Sequence, residues 1–149
     1  MIVVIILFSL VASFSVMELV AWSAHKYLMH GLLWHVHQDH HHPVKGRKFE
    51  KNDLFFIIFA APAAAGIWLG VVYENPWSLG LGIGTTVYGI LYFLVHDVLI
   101  HRRFKWFDKT QNRYLVGLRK AHKVHHKNMG KEGGECFGML FVPFKFFRV

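Results

Sequence analysis

The residues with the most chemistry in this 149-residue chain are its twelve histidines, ten of which form two copies of one pattern. The first copy is His25-x4-His30 followed by His37-x2-His40-His41, and the second is His96-x4-His101 followed by His122-x2-His125-His126. Neutral imidazole is a good ligand for iron, zinc, copper and nickel. On a regular helix H-x2-H-H keeps its three rings within an arc of about 100°, so they can converge on one point. The rings of H-x4-H lie about 140° apart; they serve different metals, straddle a cluster, or converge through a local distortion of the helix. Ten nitrogen donors exceed what one ion takes, so two metals are the economical count. His35 and His42 fall outside the pattern and read as solvated or supporting histidines. The single Cys136 excludes an internal disulfide and any CxxC motif. No HExxH sequence supplies the general base of a zinc hydrolase.

The elements that must position these histidines are apolar. Hydrophobic residues make up 54% of the chain and charged residues 17%, below the roughly 25% of soluble domains. Residues 2–22 contain one acid, Glu18, and no Lys or Arg; residues 54–72 contain no charge; residues 78–100 are uncharged until Asp97. Each is long enough, at about 20 residues, to cross a bilayer as a helix. The first stretch has no preceding basic residue and runs past the small residues at 11–13, so it reads as a retained span rather than a cleaved signal. Residues 73–77 form a tight hairpin between the second and third spans, and Trp22, Trp68, Tyr73 and Trp77 lie near span ends, at headgroup level. The predicted architecture is a single all-α integral membrane domain over 1–149, with a histidine-lined di-metal cap. Residues 136–149, interrupted by Pro143, Lys145 and Arg148, are expected to lie on or re-enter the membrane face; a fourth span is the alternative.

With three spans, residues 24–53 and 101–149 share a side, and all seventeen Lys and Arg fall there. The positive-inside rule makes that side cytoplasmic and puts the amino terminus outside. The net charge of +8 is thus a topology signal and a lipid-headgroup surface rather than a nucleic-acid footprint. A membrane metal carrier would line a path across the bilayer with ligands, whereas here every histidine lies from the cytoplasmic boundary outward.

Glu18 lies seven residues before His25, about 20° from it on a helical face, and an intramembrane acid is a functional candidate. It is expected to hydrogen-bond and orient a metal-binding imidazole. Asp97 and Asp39, each beside a patterned histidine, are weaker candidates for that role. Gly80, Gly82, Gly84 and Gly89 leave room either for close helix packing or for an elongated substrate between the spans.

The segments AHKYLMHG (24–31), HQDHHHP (37–43), NDL (52–54), HDVLIHRRF (96–104), AHKVHH (121–126) and KEGGECFG (131–138) resemble the bacterial β-carotene hydroxylases, within the membrane fatty-acid hydroxylase and sterol desaturase superfamily. The resemblance spans nearly the whole chain. It implies a non-haem di-iron monooxygenase of the bacterial inner membrane, using O2 and electrons from a ferredoxin-type donor. The reaction would hydroxylate C3 of β-ionone rings, taking β-carotene through β-cryptoxanthin to zeaxanthin. It further implies that the ten patterned histidines hold two Fe ions. Iron is the family's information: zinc and copper bind nitrogen sites more tightly, so zinc can take the site in a purified or crystallised form. The basic residues Arg102, Arg103 and Lys105 could steer an acidic ferredoxin. The alternatives are a fatty-acyl or sterol hydroxylase or desaturase, and a non-enzymatic membrane metal-binding protein.

Overall fold

The computed structural model describes residues 1–43, 47, 49–104, 106–107 and 109–148; Lys45, Lys48 and Lys105 lie outside them. Three helical segments are long and apolar enough to cross a membrane: Ile2–Leu32, Lys51–Val72 and Pro76–Ile100. Helix α1 (Ile2–Ser23) passes without a break into a π-helical segment, Ala24–Leu32, followed by α2 (Trp34–His41). Helix α3 (Leu54–Val72) turns through residues 73–75 into α4 (Pro76–Phe93), which ends in a second π-helical segment, Leu94–Ile100. Helix α5 (Arg113–His125) lies outside the spans. The hairpin is tight because Asn75 caps α4: its side-chain oxygen accepts from the Trp77 and Ser78 amides, and Pro76 fills the first helical position.

α4 packs against both α1 and α3. Without a hydrophobic driving force between helices in lipid, small residues govern how closely they approach. A Cβ on Gly84 would lie 2.2 Å from the Leu10 carbonyl of α1, and one on Gly82 would lie 2.6 Å from the Ile67 amide of α3. Gly80 similarly meets Ile6 and Ser9 of α1. These three glycines are therefore contact surfaces, and the alternative of substrate space at them is set aside; Gly89 has no atom within 4 Å of where its Cβ would stand.

Residues 136–148 form no fourth span. After an extended stretch they end in a short 3-10 turn, Phe144–Phe147, whose Phe147 ring stacks on Tyr114 of α5 at 5.6 Å. Met139 is buried with Val95, Leu99 and Leu118, tying residues 128–148, the strap, to the end of α4 and to α5. The strap folds over the bundle end that carries the histidines.

The glycine contacts predict unequal tolerance along α4. Gly84→Ala forces backbone apart and should cost about 1–3 kcal/mol, read as a lower midpoint in thermal unfolding in detergent. Gly89→Ala should leave the midpoint unchanged.

Candidate metal centre

His25 and His30 sit in the first π-helical segment, and His96 in the second, which His101 caps. There the amide of residue i+5 bonds the carbonyl of residue i, which stacks positions five apart instead of splaying them. The Leu33 amide donates to the Leu28 carbonyl at 2.8 Å, and the His101 amide to the His96 carbonyl at 2.9 Å. As a result the His25 and His30 rings lie 5.3 Å apart and those of His96 and His101 4.5 Å apart. Of the three outcomes open to H-x4-H, a local helix distortion is the one present.

The H-x2-H-H triplets behave differently from the sequence expectation that all three rings share a point. Nitrogens of His25, His30, His37, His41 and His125 form one group, and those of His40, His101, His122 and His126 a second, all within 4.8 Å of one another in each. His96 stands beside the second group, its Nε2 3.0 Å from that of His40. In each triplet the first and last rings, four residues apart, stay with their own half, while the middle ring crosses to the other. An arc of about 100° brings three rings to one side of a helix, and on that side the rings divide between the two groups.

The protonation of these rings follows from their partners. A carbonyl only accepts, so each Nδ1 facing one carries the proton and leaves Nε2 as a bare lone pair. His25 donates to the Phe137 carbonyl at 3.0 Å, His30 to Lys131 at 3.1 Å, His41 to Asn128 at 3.1 Å and His125 to Glu135 at 2.8 Å. His37 donates to the Asn52 side-chain oxygen at 2.6 Å. In the second half His40 donates to Glu50 at 2.8 Å and His96 to Asp97 at 3.2 Å. Burial holds the rings neutral, lowering His37 and His125 to about 3 and His41 to about 4, and it lowers His40, His101 and His122 as well.

Lone pairs therefore point at lone pairs. The His30 Nε2 is 3.1 Å from that of His41 and 3.2 Å from that of His125, with no proton available between them. The Nε2 atoms of His25 and His37 are buried without a protein partner. Such an arrangement is repulsive unless a cation joins the group. With metal–nitrogen bonds of about 2.1 Å, neighbouring ligands stand about 3.0 Å apart around an octahedral ion and about 3.4 Å apart around a tetrahedral one. The close Nε2 pairs span 2.9 to 3.2 Å and fit the former. The residues present thus fit a pair of metal ions, with a cavity of about 230 Å³ lined by His40, His101, His122, His126 and Lys123 opening on the second half.

His35 is exposed, and the exposed His42 reaches the Met129 carbonyl at 3.0 Å; neither joins the cluster. Asp97 supports His96, whereas Asp39 accepts from the Lys51 amide at 2.6 Å and touches no clustered ring. Glu50, Asn52 and the carbonyls of 128–137 were not singled out as ring partners from sequence. Backbone carbonyls carry no residue signature, and the two side chains lie 10 and 15 residues from their histidines.

Glu18 corrects the expectation placed on it. Its carboxylate touches no imidazole; it accepts from the Met139, Leu140 and Phe141 amides at 2.9, 3.0 and 3.0 Å, and from the Tyr88 hydroxyl at 2.6 Å. Three successive amides converging on one carboxylate make an anion nest, a stronger partner than one ring nitrogen. The change to π winding after Ser23 also removes the helical register that linked position 18 to position 25. Glu18 reaches the cluster indirectly, by pinning the strap whose residues 135 and 137 hold His125 and His25. Glu18→Gln should cost about 1.5–3 kcal/mol, the scale of a charge-assisted hydrogen bond. It should also quicken tryptic cleavage at the exposed Lys131. Unchanged melting and cleavage would contradict this anchoring role.

Comparison with known proteins points the same way. The fatty acid hydroxylase family model matches residues 10–145. A beta-carotene hydroxylase of Pantoea ananas is 46% identical over 128 residues, 85% of this chain and 71% of that protein. One from Pseudescherichia vulneris is 44% identical, covering 85% and 70%, and one from a Paracoccus strain 37% identical, covering 89% and 82%. No solved structure matches the chain. With the match extending over both histidine boxes and the strap, the chain belongs to the fatty acid hydroxylase family.

Proposed function

We propose that this protein hydroxylates C3 of carotenoid β-ionone rings, converting β-carotene through β-cryptoxanthin to zeaxanthin, with two irons held by its ten patterned histidines. The observation that carries the reading is the convergence of imidazole Nε2 atoms at 2.9 to 3.2 Å in two adjoining halves, with no proton between His30 and His41, His30 and His125, or His40 and His96, whose Nδ1 protons are all given to other acceptors. The names of the relatives, beta-carotene hydroxylases at 37 to 46% identity, supply the substrate class.

An unactivated ring C–H yields to no acid, base or nucleophilic side chain at neutral pH, so the bound iron pair with O2 would supply the oxidising chemistry. The chain's own residues do the rest. His25, His30, His37, His41 and His125 would hold one ion, and His40, His96, His101, His122 and His126 the other. The 128–137 strap and Asn52 fix the rings of the first half through their Nδ1 protons, and Glu50 and Asp97 those of the second. Burial of the first half excludes water: His25, His30, His37, His41 and His125 are all at most 5% exposed. The apolar spans place the site beside the bilayer in which a carotenoid dissolves.

All seventeen basic residues flank the histidine end of the spans, which by the positive-inside rule faces the cytoplasm. The amino terminus then lies outside, and the cytoplasmic side presents a basic surface that attracts both anionic lipid and an acidic ferredoxin-type donor. Expression in a host that accumulates β-carotene, supplied with iron and reductant, should yield zeaxanthin and the mono-hydroxy intermediate. His37→Ala should abolish both products. Unchanged β-carotene with the wild-type protein present in the membrane would overturn the proposal.

A further inference from the structure

The two halves of the cluster are held by different chemistry. In the five-histidine half every Nδ1 acceptor identified is neutral: the carbonyls of Asn128, Lys131, Glu135 and Phe137 and the amide oxygen of Asn52. In the other half His40 and His96 lean on carboxylates, Glu50 and Asp97. One guanidinium joins those carboxylates. Arg103 lies 3.1 Å from Glu50, 3.2 Å from Asp97 and 2.9 Å from Asp53. Asp53 in turn accepts from the Glu50 amide at 3.0 Å. The backbone is built to deliver this side chain. Arg102 takes a left-handed φ of 54°, uncommon for a residue with a Cβ, and the Arg103 amide folds back onto the Asp97 carbonyl at 2.9 Å.

We propose that Arg103 is a positioning residue for the second metal: by tying Glu50 to Asp97 it fixes the His40 and His96 rings, and so sets the affinity of that half alone. Three carboxylates converge on this one cation, and a planar fork of donors suits two at once. Without it, Glu50 and Asp97 repel each other and turn toward water, and the two rings lose the acceptors that aim them. The three carboxylates on Arg103 hold no ring of the first half: four of its five Nδ1 acceptors are carbonyls of residues 128–137, and the fifth, Asn52, stands between Glu50 and Asp53 but meets His37 through its own side-chain oxygen. The inference rests on the two-metal reading above.

Detergent-purified protein, stripped of metal and titrated with cobalt(II) under chelator competition, tests both separately. Uptake of two ions by the wild type is the outcome the metal reading requires, and one ion or none overturns that reading. Arg103→Leu should keep one ion at wild-type affinity and bind the other ten- to a hundred-fold more weakly, the range seen when a ligand's supporting partner is removed. Arg103→Lys, which keeps the charge without the fork, should fall between. The double variant Arg103→Leu, His101→Ala should lose no more than the one ion that His101→Ala loses. Retention of both ions at wild-type affinity in Arg103→Leu, equal weakening of both, or loss of both in the double variant would each overturn the inference.

Discussion

Imidazole lone pairs that face one another at about 3 Å with no proton between them are a repulsive arrangement, and the rest of this structure depends on sustaining it. Seven of the ten rings present a bare Nε2 because a fixed acceptor takes their Nδ1 proton. The need for such acceptors explains the otherwise irregular parts of the chain. The 128–137 strap supplies four carbonyls, residues 50–53 supply Glu50 and Asn52, and Asp97 comes from within the π-helical turn. A helix of regular winding would splay His25 from His30 and His96 from His101. The two π segments bring them together, an instance of local irregularity at the point where geometry is demanded.

The exchange of His40 and His125 has a structural consequence. α2 and α5 each contribute to both halves, so neither half can form unless both helices are docked. The repeat seen in the sequence is thus not two independent boxes, one per ion. It is a reciprocal arrangement in which each copy completes the other's group of rings. Binding of metal would couple the docking of α2, α5 and the strap, because ligand convergence and tertiary contact are the same event. Glu18 contributes from within the first span, anchoring the strap by three amides at 2.9 to 3.0 Å.

Much of this was legible in the sequence because it is carried by periodic or compositional signals. The three spans follow from uninterrupted apolar length, and the ten clustered histidines from a duplicated spacing. The close packing of Gly80, Gly82 and Gly84 was one of two readings open to small residues in a membrane helix. What escaped has a common physical cause: it depends on backbone groups or on partners distant along the chain. The acceptor carbonyls at 128–137 have no side-chain signature. Arg103 reads as one basic residue among seventeen until folding brings Glu50 and Asp97 to it. Glu18 stands out in the sequence as an acid inside a span, but its partners at 139–141 lie more than a hundred residues away. The division of each triplet could not be read from helical angles, which place three rings on one side without saying how many ions stand there.

Anomalous X-ray scattering from crystals of the metal-loaded protein tests the reciprocal division of the histidines most directly. The structure predicts two metal peaks, one bounded by the Nε2 atoms of His25, His30, His37, His41 and His125, the other by His40, His101, His122 and His126 with His96 beside them. A single peak, or an ion bound by His37, His40 and His41 together, would contradict it.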